Sequence, residues 1–265
     1  MVVFTVQPPR VGKNAAGVVA GLVLMASWAG AQHKPELVIA AAANLTEAFQ
    51  SLGPKFEAET GIHPVFSFAS TAQLTQQIEN SAPFDVFASA DSAHMDELDR
   101  KGLLLPGSRT VFAQGVVALW IPPGSKAAVK RIEDLSGPEV RVIAIAKPEL
   151  APYGDAAIHA LQSLGMWEAI KSRAVYAENI NMAKQYGASG NADAVFTAYA
   201  LVLHAGGTVI PVDPALYPPI DQTAGILAGS EHPEAARKFV AFLLRGAGRA
   251  VLDKYGYRLA AKRLN

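Results

Sequence analysis

At 265 residues, with 23 Lys and Arg against 23 Asp and Glu, the chain has length for one large or two ordinary cores and no net charge to draw it to a polyanion. A nucleic-acid partner is therefore not expected. The absence of cysteine excludes disulfides, cysteine-ligated metals, a thiol nucleophile and a lipidated N-terminal cysteine.

The first segment reads as an export signal. Arg10 and Lys13 precede an apolar stretch, Ala15 to Trp28, which ends in Ala29-Gly30-Ala31. A basic start, a short apolar middle and an A-x-A site form the pattern of a secretory signal peptide, cleaved after Ala31. The stretch is shorter than the ~20 residues of a membrane span, and an uncleaved anchor is the alternative. No twin arginine is present, so export in the unfolded state is expected, with the mature chain starting near Gln32 outside the cytoplasm.

From Glu36 to Phe49 a buried strand feeds a helix. Leu37-Val38-Ile39-Ala40 is apolar, alanines follow, and Asn44 stands three positions before Glu47, the spacing of a capping box. Leu45, Phe49, Leu52 and Phe56 recur at helical spacing until Gly61. A second strand, Pro64 to Phe68, leads to Ser70-Thr71 with Gln73 three residues after Ser70, and a third, Phe84 to Ala88, leads to Ser89-Ala90-Asp91. Successive β-then-α units predict a parallel sheet with right-handed crossovers.

The pattern changes at Gly102. Leu103 to Arg109 reads as loop, Gly115 to Ile121 as a long apolar strand, and Arg131 to Leu135 as a short helical piece. New βα units follow. Arg141 to Ala146 is a strand, Lys147 to Gly154 a loop, Asp155 to Leu164 a helix, Ala174 to Ala177 a strand and Ile180 to Tyr186 a helix. Ala192 to Thr197, Tyr199 to His204 and Thr208 to Val212 complete the set. Thr223 to Leu227 reads as a returning strand, and Pro233 to Leu244 and Ala247 to Tyr255 as amphipathic helices. The layout predicts an α/β chain of two lobes: 32–112 plus 226–265, and 113–225, with crossings near 115–121 and 223–227. A single continuous sheet is the alternative.

No G-x-S-x-G, P-loop or G-x-G-x-x-G motif is present, and the histidines (33, 63, 94, 159, 204, 232) offer no i, i+4 pair for a metal. His159 reads as a surface or satisfied core residue, Asp91 as a helix N-cap and Asp85 as a structural acceptor at its strand start. No catalytic residue is assigned. What remains is a set of strand-to-helix joints: Asn44, Ser70-Thr71, Pro152-Tyr153-Gly154 and Asn179-Ile180. In parallel α/β sheets such joints gather where ligands bind. If two lobes face each other, these helix starts offer N–H and O–H donors to one anion without a lysine or arginine. A fully deprotonated oxyanion such as molybdate, tungstate or sulfate needs only donors. Hydrogen phosphate also needs an acceptor, for which Asp155 or Glu178 stands near.

The runs VIAAAANLTEAF, FSFASTAQLTQQIE and APFDVFASAD, with the closing KYGYR, together resemble the periplasmic molybdate-binding proteins of ABC transporters, over about residues 35 to 258. The resemblance implies a type II periplasmic-binding fold, two lobes each built on a mainly parallel sheet flanked by helices, with the ligand between them. It implies a monomeric, periplasmic protein without cofactor that binds molybdate or tungstate and delivers it to a membrane permease. Mapped residue by residue, it implies oxyanion contacts at Asn44, Thr71, Tyr153 and Ile180, the last two through main-chain N–H groups, with Ala43 and Ser70 beside them. Where some members carry a donor tyrosine, Thr197 stands here, and Tyr153 or Tyr199 is the candidate replacement. Asn44 is expected either to contact the ligand or to cap its own helix, leaving a main-chain N–H as the contact. The alternatives are a receptor for sulfate, phosphate or a small organic acid and, in another class, an enzyme on the same fold.

Overall fold

The opening apolar run forms β1 (Glu36–Ala42), buried from Leu37 onward apart from a half-buried Val38. The computed structural model describes residues 35–258, so the expected signal peptide, 1–31, lies outside them. A single 3-10 turn, Ala43–Leu45, leads into α1 (Thr46–Thr60), which Gly61 ends in the left-handed region at φ +73°. The turn corrects one expectation: Asn44 makes no capping bond. Its apparent capping partner, Glu47, instead accepts from Lys184 Nζ at 3.0 Å.

β2 (His63–Ala69) and β3 (Val86–Ser89) flank β1 in parallel, with α2 (Thr71–Glu79) between them in sequence and α3 (Ala93–Arg100) after β3. Ser70 and Gln73 form the expected capping box at the start of α2. The N-cap of α3 is Ser92, which makes no capping bond, and Asp91, expected in that role, stands one residue before it and accepts from the His94 amide at 2.8 Å. Asp85, just before β3, accepts from the Val38 amide of β1 at 2.8 Å and the Ser230 hydroxyl at 2.6 Å.

The expected crossing strand, Gly115 to Ile121, is broken at Val116, and residues 110–114 ahead of it are strand as well. β4 (Thr110–Gly115) and β5 (Val117–Ile121) are separated by Val116 alone and belong to different sheets. Next come β6 (Ile143–Ala146), α4 (Pro152–Ser163), the short α5 (Trp167–Ile170), β7 (Ala174–Ala177) and α6 (Ile180–Ala188). β8 (Ala194–Ala198), α7 (Tyr199–Val202), β9 (Thr208–Pro211) and β10 (Ile220–Ile226) follow, and α8 (Pro233–Leu244) and α9 (Gly246–Lys254) close the described chain.

The two sheets share one plan, β2-β1-β3-β10-β4 and β7-β6-β8-β5-β9. In each, three parallel strands are extended by two strands that run antiparallel to their neighbours. The sheets exchange strands: β5 leaves the first half to join the second, and β10 returns. The crossings are therefore Val116 and residues 212–219. Residues 113–115 and 220–225, expected in the second lobe, pair in the first sheet.

Aromatic rings fill the first half. Phe239 of α8 meets Phe49 and Phe56 of α1 edge-on at 5.7 and 5.2 Å, contacts that add ~0.5–1.5 kcal/mol each beyond buried area. In the second half Trp120 is buried on β5 and donates its indole N–H to the Gly206 carbonyl at 2.8 Å. Helices cover both faces of the sheets, so β5, β6 and β8 are buried at every position.

Candidate functional site

Four strand-to-helix joints meet around one cavity. Ala43 and Asn44 come from the turn after β1, Ser70 and Thr71 from the start of α2, Tyr153 from α4 and Ile180 from α6. Ala90, Ala151 and Pro152 complete the wall, and no charged side chain lines it. The volume is about 10 Å³, on the order of one water molecule.

Local chemistry fixes each joint. Pro152 opens α4, where its missing N–H costs nothing, so the first amide that this helix offers is Tyr153's. Gly154 lets α4 press on the end of β6, because a Cβ there would lie 2.0 Å from the Ala146 carbonyl oxygen. Asn179 caps α6, accepting from the Met182 amide at 3.0 Å. The amides of Thr71, Tyr153 and Ile180 stand in the first turns of their helices, which hold no acceptor for them. Among the described residues no other protein group accepts from them. Partial positive charge from three helix starts therefore faces the cavity.

The side chains divide by where their protons go. Thr71 Oγ1 accepts from the Ala90 amide at 3.3 Å, which leaves its own proton free to donate into the cavity. Ser70 donates its hydroxyl proton to Gln73 Oε1 at 2.8 Å, so it lines the cavity as a cap. Asn44 Nδ2 donates to Gln222 Oε1 at 2.7 Å and Tyr257 OH at 3.1 Å, with Tyr153 OH at 3.5 Å. Tyr257 in turn donates to the Asn44 carbonyl at 2.8 Å. With its side-chain donors committed, Asn44 has its main-chain N–H left for a ligand.

Burial holds the Tyr153 phenol well above the usual tyrosine value, with the Tyr257 and Tyr217 phenols adding to the shift. Burial raises Tyr257 likewise. Both phenols stay protonated at any physiological pH and act as neutral hydrogen-bonding groups.

Two residues held in reserve do not reach the cavity. Thr197 lies in the interior of β8, opposite Ala118, fully buried with a hydroxyl that finds no partner. Tyr199 gives its amide to the Val116 carbonyl at 2.9 Å, and its ring lies where Gly256 leaves room, 2.6 Å from the position of a Cβ. Gln222, Tyr257 and Gly115 are the residues that sequence reasoning missed. The KYGYR run contains Tyr257 but gives no sign of its partner.

A larger groove of about 280 Å³ adjoins the cavity and shares Ala90, Ala151 and Pro152 with it. Asp91, His94 and Asp155 line that groove. The hydrogen bond that the His94 ring donates to Asp91 raises the His94 pKa, against an opposing effect of burial. His159 is half exposed beside Asp155, at 3.6 Å. Among the described residues no cluster of His, Asp or Glu could hold a metal ion, and no helix is long and apolar enough to cross a membrane.

Two α/β halves that exchange strands, with an uncharged cavity of helix-start donors between them, define a two-lobed binding protein for a small solute. The chain belongs to the bacterial extracellular solute-binding protein family, whose model matches residues 37–258. It is 35% identical over 255 residues to the molybdate-binding protein ModA of Rhodobacter capsulatus, covering 95% of this chain and 97% of that one. The periplasmic molybdate-binding protein of Azotobacter vinelandii superposes with a TM-score of 0.81 at 32% identity, over 85% of this chain and all of that one. The sulfate-binding protein SubI of Mycobacterium tuberculosis, at 15% identity and a TM-score of 0.72, shares the fold.

Proposed function

We propose that this chain captures molybdate or tungstate outside the cytoplasm and hands it to the permease of an ABC transporter. The observation that carries the reading is the donor set: the Thr71 hydroxyl and the amides of Thr71, Tyr153 and Ile180 around a cavity lined by no charged side chain. Such a set suits a dianion with no proton to give away. A hydrogen phosphate would need a carboxylate within reach; Asp155 lines the neighbouring groove, and no carboxylate lines the cavity. The likeness to molybdate-binding relatives over nearly the whole chain supports the metal oxyanions over sulfate.

The halves on either side of Val116 and residues 212–219 are the lobes, and the form described here is closed. The Ala72 amide donates to the Leu150 carbonyl at 3.3 Å, Asn181 Nδ2 to Thr46 Oγ1 at 2.8 Å, and Lys184 pairs with Glu47 at 3.0 Å. With about 10 Å³ inside, the lobes must part to admit and release an oxyanion. Closure then removes water, and each donor counts for more than it does in solution. The protein acts as a monomer in the periplasm, released from its signal peptide after Ala31, with no catalytic role.

Titration calorimetry of the ligand-free mature chain with molybdate, tungstate, sulfate and phosphate tests this. Saturable binding of molybdate and tungstate is expected. Absence of heat with both sinks the reading, and tighter binding of sulfate than of either reassigns the ligand.

A further inference from the structure

Behind the cavity, four buried side chains meet at the crossing between the halves. Asn44, Gln222 and Tyr257 come from the side of the first sheet and Tyr153 from α4 of the second; all four are at most 3% exposed. Nδ2 of Asn44 links Gln222, Tyr257 and, more loosely, Tyr153, while Gln222 Nε2 donates to the Ile220 carbonyl at 3.1 Å. Beside Gln222 the register of β10 against β4 shifts: Gln222 pairs with Ala113 and Thr223 with Val111, which leaves Phe112 of β4 as the extra residue of a bulge.

The Tyr153 ring ends on Gly115, the last residue of β4. A Cβ at Gly115 would lie 1.9 Å from the phenol oxygen, 2.7 Å from Cζ and 3.1 Å from Gln222 Nε2. Gly115 is not among the positive-φ glycines. Its backbone suits any residue, and the missing side chain serves space rather than torsion.

We propose that Gly115 and the Tyr153 side chain form a positioning device: the phenol seats in the space left at the hinge, and that seating sets how far the first turn of α4, with the Tyr153 amide, stands from Asn44 when the cleft closes on an oxyanion. Tyr153 thus serves the site twice. Its amide faces the cavity, while its ring measures the approach of one lobe to the other against a fixed stop one residue before the chain crosses. The inference rests on the oxyanion-binding reading above.

A double-mutant cycle tests it, with molybdate Kd from calorimetry and the melting temperature of the ligand-free chain measured for each protein. Gly115→Ala is expected to weaken molybdate by about tenfold or more, the scale of one displaced hydrogen bond, with a ligand-free melting temperature close to that of wild type. Tyr153→Ala should still bind, more weakly than wild type, because its donor is main chain. In the Tyr153→Ala background the second change, Gly115→Ala, should have little further effect, since the two atoms it overlaps are gone and only the Gln222 amide, at 3.1 Å, remains beside it.

Gly115→Ala binding as tightly as wild type overturns the proposal, and so does an equal loss in both backgrounds. Loss of all binding in Tyr153→Ala also overturns it, for the phenol would then be a ligand contact and not a gauge. Should Gly115→Ala fail to fold, the double variant decides: recovery of the fold supports the steric pairing, and continued failure refutes it. A wild-type chain that binds no oxyanion brings down the functional reading itself, a result distinct from any of these.

Discussion

Thr71 gives the sharpest test of the site. Thr71→Val keeps the branched shape at the start of α2 and removes only the hydroxyl. That hydroxyl accepts from the Ala90 amide at 3.3 Å, so its proton is directed into the cavity. A hydrogen bond to a charged partner is worth ~1.5–3 kcal/mol net, which predicts a Kd for molybdate weaker by about 10- to 150-fold. Loss of the acceptor for Ala90 costs roughly 1 kcal/mol in the ligand-free and bound forms alike. It lowers the melting temperature and cancels from the affinity. Calorimetry of the variant, with thermal unfolding of the ligand-free chain beside it, separates the two effects. Thr71→Ser, which keeps the hydroxyl, should restore most of the binding. A Thr71→Val affinity within about twofold of wild type, or a serine variant as weak as the valine one, would refute the donor assignment.

Ser70→Ala removes a cap and should cost ~1 kcal/mol of stability in denaturant unfolding, with a smaller loss of affinity than Thr71→Val, because the Ser70 proton already goes to Gln73. Thr197→Val removes a buried hydroxyl without a partner and should stabilise the fold by ~1 kcal/mol, with an unchanged Kd because Thr197 does not line the cavity; a weakened Kd would return it to the site. The folded-state pKa of His94 is raised by its bond to Asp91, with Glu97 and Glu79 contributing. Protonation therefore favours the folded chain: the contribution is full below the unfolded-state value of about 6.5 and declines as pH rises through the higher folded value. The stability difference between wild type and His94→Gln should shrink as pH is raised through that window; a difference that grows would reverse the assignment.

The joints were legible in the sequence because their chemistry is local. Ser70 and Gln73, like Asn179 and Met182, are three residues apart, and their capping bonds follow from that spacing. The alternation of strands and helices likewise announced two α/β sets. Asn44 was misleading for a physical reason: Asn-x-x-Glu has the spacing of a capping box, yet both side chains find stronger partners far away, Gln222 and Lys184. The short β4, TVFAQG, carries too little alternation to separate from the apolar run that follows it. Gly115, Gln222 and Tyr257 could not be read at all, since their roles depend on contacts that only the crossing topology creates.

That topology has a consequence for the life of the chain before it reaches its ligand. β10 lies between β3 and β4, yet it is made after the whole second sheet. Until Ile226 has left the ribosome, β3 lacks one neighbour and β4 lacks its pairing partner in that sheet. The Phe49 and Phe56 rings wait longer still, for Phe239. Contacts so distant in sequence form slowly. A nascent chain built this way completes its first sheet only after nearly all of the described residues have been made.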